Sequence, residues 1–239
     1  MKQKGTIFYI TGESPLCEEL AGQCAAAGQP SKTQCQTGSR NTGTVKKAIC
    51  AFELTNTDLV RKKKNLQFLD RTLPPKAVII SSSVTVTATE QASWIKNPER
   101  LLGMSALPTF LTGGLFELAP TIWTSPPTIE RVQGYLSSIK KEITLVQDRI
   151  GLVLPRIICM VINEALFGVM ENVSTPENID TAMKLGTNYP MGPIEWGNRI
   201  GFGQIVHTLE AIHRDLGEER YRISPLLRQL AVGKPWWKT

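Results

Sequence analysis

The feature that most constrains this chain is a change of rhythm near Asp148. Before it, short β-rich runs alternate with segments of helical composition; after it the β-rich runs stop. Thr6-Ile7-Phe8-Tyr9-Ile10 closes at Gly12, and residues 16–27 read as a helix ended by Gly28, a residue suited to the left-handed closing position. Strand, tight turn and helix in that order open a βαβ unit. Residues 48–54 give another strand, and 58–73 a helix stopped by Pro74-Pro75. Ala77-Val78-Ile79-Ile80 is an unbroken apolar run after a turn, the pattern of a strand buried on both faces of a parallel sheet. Residues 101–106, 114–118 and 144–146 continue the strands, with a helix over 128–139. The polar stretch 29–44 holds only a poor strand, at 32–36.

From Gly151 onward the pattern is helical alone. Residues 161–171 are apolar on one face, and Ser174-Thr175-Pro176-Glu177 is a helix start, with a hydroxyl to cap, proline in the first turn and Glu177 three after Ser174. Pro190-Met191-Gly192-Pro193 is a rigid turn, and helices follow over 195–200 and 205–216. The expectation is two domains, an α/β domain over 1–147 and an all-α domain over 148–239.

Composition excludes several classes. The net charge of +6 is mild for 239 residues and attracts anions such as nucleotide phosphates or coenzyme A. The densest basic run, Arg61-Lys62-Lys63-Lys64, has no interleaved aromatics and reads as a solvated helix face, with no nucleic-acid partner. Cys17, Cys24, Cys35, Cys50 and Cys159 are odd in number and lack C-x-x-C spacing, which opposes a disulfide framework and a zinc site and suits a reducing, cytoplasmic location. His207 and His213 are six apart, off the i, i+4 spacing of a helical metal pair. The apolar run after Thr6 is too brief for a signal peptide, and no segment could span a bilayer.

Three blocks carry a resemblance to a known family: Asn163-Glu164-Ala165, then Thr175 through Gly186, then Pro190-Met191-Gly192-Pro193-Ile194-Glu195. Tyr221-Arg222 and Ser224-Pro225-Leu226-Leu227-Arg228 extend it, as do Pro98 through Met104 and Asp148 through Val153 more loosely. In that order they resemble the 3-hydroxyacyl-CoA dehydrogenases. The resemblance implies a Rossmann-like N-terminal domain, here reduced, and an all-α C-terminal dimerisation domain. It further implies NAD as cofactor, acyl-CoA as substrate and a homodimer formed through the helical domain. Trp236 and Trp237 read as interface anchors or as tail packing.

Residue by residue the pattern is incomplete. Of the family's G-x-G-x-x-G turn, the segment Gly12-Glu13-Ser14-Pro15-Leu16-Cys17 keeps only the first glycine. Ser14 puts a Cβ where the pyrophosphate should pass, and Glu13 adds a negative charge. The ribose acid falls at Cys35. Lys62 matches a family lysine, whereas its acidic companion falls at Thr57. Gly12, Ser14 and Lys62 are thus the cofactor-binding candidates. Ser105 stands at the family's catalytic histidine, and a hydroxyl is no base near neutrality; its carboxylate partner is Glu117. Ser82 and Ser83 fall in the substrate-contacting segment, followed by Val84 where the family has a hydroxyl, and the family's asparagine at the domain junction is Pro155. The expectation is a family member with weak or lost catalysis. The alternative is a non-catalytic homodimer that binds acyl-CoA or a partner.

Overall fold

The structure, a computed structural model, describes residues 7–35 and 42–233. Trp236 and Trp237 lie outside the described residues. The chain divides into two compact units, Met1–Leu152 and Val153–Thr239.

The first unit is built on one seven-stranded sheet in the order β2-β1-β3-β4-β5-β6-β7. Strands β1 (Ile7–Gly12), β2 (Ser31–Cys35), β3 (Ala48–Leu54), β4 (Val78–Ser82) and β5 (Leu101–Met104) run parallel. β6 (Leu115–Pro120) turns back antiparallel to β5, and β7 (Glu142–Leu145) runs parallel to β6. This is a Rossmann-like α/β arrangement, with the first strand flanked by β2 on one side and β3 on the other.

Period-two alternation sends side chains to two cores. Phe8, Ile10, Phe52 and Leu102 meet Leu20 of α1 (Leu16–Ala26) and Leu136 of α5 (Pro126–Ser138) on one face. Tyr9, Ala51, Ile79 and Leu101 meet Leu66 and Leu69 of α3 (Leu59–Thr72) and Ala88 of α4 (Ala88–Ala92) on the other. Each large apolar side chain buried this way stabilises the fold by roughly 1.5–3 kcal/mol before conformational entropy is counted. The outer strands β2 and β7 carry more exposed, polar residues, as edges require.

Four expectations change. The short helices α2 (Thr42–Val45) and α4 were not anticipated. α6 (Leu154–Met170) begins seven residues before the expected 161, because Pro155 falls in its first turn, where a missing N–H costs no helical bond. The cap of α7 (Pro176–Thr187) is Thr175, whose hydroxyl accepts the Asn178 N–H, so Ser174 and Glu177 are not the capping pair. The basic run of α3 is not a wholly solvated face: Lys63 and Lys64 are exposed, but Lys62 is fully buried.

Among its described residues the second unit contains helices and no strand. α6 packs Ile158, Cys159, Ile162 and Leu166 inward with α8 (Pro193–Ile200), α9 (Phe202–Leu216) and α10 (Pro225–Val232). The resemblance blocks form its joints. Asn163 on α6 donates to the Arg222 carbonyl (3.0 Å) and accepts the Ser224 N–H (2.8 Å), fixing the approach to α10. Asp180 on α7 accepts the N–H groups of Ile194 (2.8 Å) and Glu195 (2.9 Å) in the first turn of α8. Gly192 is required there, since a Cβ would lie 2.2 Å from the Asp180 carboxyl carbon. Among the described residues no helix is long and apolar enough to cross a membrane, and no group of three or more His, Cys, Asp or Glu could hold a metal ion.

Candidate active site

In an open α/β sheet, ligands bind outside the carboxyl ends of the strands where the strand order reverses. Here that point lies between β1 and β3. β1 ends at Gly12 (φ +146°), so close to β3 that a Cβ would lie 2.5 Å from the Leu54 carbonyl carbon. The next N–H, of Glu13, donates to the Leu54 carbonyl (3.1 Å). Glu13 then reaches across. One carboxylate oxygen accepts both the Thr57 N–H (2.9 Å) and the Thr57 hydroxyl (2.6 Å) in the loop after β3. Arg61 donates to the Gly12 carbonyl (3.1 Å). Ser14 is exposed, and Pro15, at the N-cap of α1, has no N–H to offer. In this conformation the turn is a poor cradle for a dinucleotide pyrophosphate, which would meet a carboxylate, a serine Cβ and donors already bonded.

Lys62 does not face this crevice. Its ammonium lies 2.6 Å from Glu53 and donates to the Thr55 carbonyl (2.8 Å), with both side chains of the ion pair fully buried. The Glu53 carboxylate also accepts from Asn65 (3.0 Å), Thr55 and, at 3.4 Å, Ser81. The cluster ties α3 to β3 and β4.

At the ends of β4 and β5, Ser82 and Ser83 are buried with their hydroxyls bonded within the chain. Ser82 donates to the side-chain oxygen of Asn56, and Ser83 accepts from Gln91 (3.0 Å) and lies 3.5 Å from the Ser81 carbonyl. Asn56 donates in turn to the Ala106 carbonyl (2.8 Å) and so holds the segment directly after Ser105. On α4 the two N–H groups of the Gln91 amide are shared between Ser83 and the carbonyls of Ser82 (2.9 Å) and Val86 (3.0 Å). Asp148 accepts the N–H groups of Ala88 and Thr89 (both 2.7 Å), capping α4 from the far end of the unit. Sequence reasoning missed Asn56, Gln91 and Asp148 as organisers. The partners of Asn56 and Asp148 lie far away in sequence, whereas those of Gln91 lie five to nine residues back, in a stretch with no helical pattern of its own.

Ser105 and Glu117 do come together. The antiparallel register runs Gly103 to Ala119 and Met104 to Leu118, and the Ser105 N–H continues it onto the Glu117 carbonyl (3.2 Å). Directly opposed residues of such a pair project to one face, with Cβ atoms about 4.5–5.5 Å apart. Ser105 is half-buried and Glu117 is 7% exposed. The pair supplies a hydroxyl and a carboxylate and no imidazole. A separate cleft of about 700 Å³ opens beside Thr87, Thr121, Leu145 and Arg149, and none of the anticipated site residues lines it.

Comparison with known proteins settles the family. Residues 21–149, more than half the chain, match the NAD binding domain of 3-hydroxyacyl-CoA dehydrogenase, and residues 151–234 match that enzyme's C-terminal domain. This chain belongs to the 3-hydroxyacyl-CoA dehydrogenase family. The first match begins at residue 21, beyond the β1–α1 turn. A probable 3-hydroxybutyryl-CoA dehydrogenase of Bacillus subtilis is 33% identical over 182 residues, which are 76% of this family member and 63% of that protein. The 3-hydroxyadipyl-CoA dehydrogenase of Escherichia coli is 43% identical over 98 residues, 41% of this chain and 21% of that one. The chain thus spans less than two thirds of the length of either relative. Among solved structures, the (S)-3-hydroxybutyryl-CoA dehydrogenase of Ralstonia eutropha superposes with a TM-score of 0.81 at 22% identity, over 95% of this chain and 93% of that one; the likeness concerns the fold.

Proposed function

We propose that this family member keeps the plan of an NAD-dependent 3-hydroxyacyl-CoA dehydrogenase but oxidises 3-hydroxyacyl-CoA to 3-oxoacyl-CoA weakly or not at all. The observation that carries this reading is Ser105 opposite Glu117, where the resemblance places a histidine base beside a carboxylate. General acid–base catalysis is worth roughly 10²–10⁴-fold, and a serine hydroxyl does not titrate near neutrality. The β1–α1 turn points the same way. The test is oxidation of NADH with acetoacetyl-CoA, enzyme in excess. The expected wild-type rate is close to the blank, and Ser105→His raises it at saturating NADH. A wild-type turnover of about 10 per second, ordinary for an enzyme, would end the proposal.

A second reading is a homodimer that uses the helical unit to bind an acyl-CoA or a partner protein. α7 buries none of its residues within the chain, although Leu185 is 82% exposed, and Val173 and Ile157 are exposed as well. Apolar residues left uncovered in this way favour a second subunit. A monomer at micromolar concentration in light scattering would remove it. The free thiols, Cys17, Cys24, Cys35, Cys50 and Cys159, support a reducing compartment such as the cytoplasm.

A further inference from the structure

The crevice between β1 and β3 is bridged by the chain's own groups. Anion binding at such a turn needs unused N–H donors and an absence of negative charge. Both conditions fail at one residue. The Glu13 carboxylate holds the Thr57 N–H and hydroxyl from the opposite rim, while the Glu13 N–H is bonded to Leu54 and the Arg61 guanidinium to the Gly12 carbonyl. The carboxylate does more than repel a phosphate. It takes the donors that would greet one and links the two loops between which a dinucleotide would pass.

We propose that Glu13 is an internal occupant of this crevice and is the residue that sets dinucleotide affinity, by standing in for the pyrophosphate on Thr57. The proposal deepens the reading of weak or lost catalysis and rests on it only for the position of the crevice. Opening the bridge removes a like charge and frees two donors. At a few ångströms, in the intermediate dielectric of a protein surface, a charge change of this kind moves affinity by roughly tenfold or more.

The experiment is a fluorescence titration of the full chain with NADH, comparing wild type with Glu13→Ala, Glu13→Gln and Thr57→Val. Thermal melting checks that each variant is folded. The expected result is that Glu13→Ala binds NADH at least tenfold tighter than wild type. Glu13→Gln, which keeps an acceptor and loses the charge, should fall between them. Thr57→Val deletes a donor that a pyrophosphate would use and leaves the Glu13 charge in place, so it should bind NADH no tighter than wild type. If Glu13→Ala and Glu13→Gln both bind NADH no tighter than wild type, the proposal is wrong. Should Glu13→Ala not fold, Glu13→Gln decides alone by the same criterion. Activity is a separate readout. Rapid turnover by wild type would end the reading of weak catalysis, whereas the ratio of NADH affinities tests Glu13 whatever that rate.

Discussion

Two carboxylates, one in each unit, perform the same local act with different consequences. Glu13 and Asp180 each accept two donors from a neighbouring segment, and each works beside a glycine that cannot carry a Cβ. Asp180 belongs to a block that resembles the family pattern, and it joins α7 to α8. Glu13 lies where the pattern is broken, and it joins β1 to β3 across the crevice. In the helical unit, then, the retained residues are architectural: Asn163, Asp180 and Gly192 hold helices at fixed joints, which persist with or without chemistry. In the sheet unit Glu13, in the turn where the family pattern is broken, is bonded to the chain's own loop after β3.

The comparison is best broken at the buried ion pair under the crevice. Lys62→Met should leave Glu53 buried without its cation and cost about 3–5 kcal/mol. Urea unfolding reads this as a lower midpoint at unchanged slope. A loss under 1 kcal/mol would contradict the part given to this ion pair in tying α3 to β3. The next effect is in the helical unit. Gly192→Ala forces a Cβ onto Asp180 and should cost about 1–3 kcal/mol. Because the obstruction is a side chain, Asp180→Ala combined with Gly192→Ala should cost less than the two single changes added together. Strict additivity in a double-mutant cycle would contradict the joint described here.

The smallest effect concerns pH and sets Asp180 against a third carboxylate, Asp70. Asp70 is buried, which raises its pKa, but hydrogen bonds from Asn97, from the Arg100 guanidinium and from the Lys96 N–H bring it below the ordinary value. Its contribution to stability is therefore complete above the unfolded value of about 4 and is lost as pH falls through the lower folded value. Asp180 has the opposite sign: burial lifts its carboxyl despite the two N–H donors. Its contribution favours the native state more as pH falls through the raised folded value towards the unfolded one. Chemical denaturation of Asp70→Asn and Asp180→Asn between pH 7 and pH 3 should show differences from wild type that drift in opposite directions.

Most strands were legible because burial on both faces leaves a long apolar run, as at Ala77-Val78-Ile79-Ile80, and the helical half announced itself through Pro and Gly punctuation. α4 was not legible. Its five residues follow a Ser, Thr and Val stretch that resembles loop or strand, and beside its N-cap Thr87 the carboxylate that takes its first N–H groups, Asp148, is sixty residues away. Lys62 was hidden for the reverse reason: three neighbouring cations suggest a solvated face, and only the position of Glu53 on β3 reveals the inward turn. The pairing of Ser105 with Glu117 was anticipated through the resemblance, whereas the bridge from Glu13 to Thr57 was not, since nothing local links them.

The reversal between β5 and β6 has a consequence for the order in which these parts assemble. Ser105 and Glu117 are twelve positions apart within one hairpin, whereas Glu13 and Thr57 are forty-four apart and meet only after β1 has been laid beside β3. Loop-closure entropy grows with the separation that must be closed, and contacts of low separation form sooner. The hydroxyl–carboxylate hairpin therefore closes at a smaller entropic cost than the bridge across the crevice, which must wait for a longer stretch of chain to be ordered.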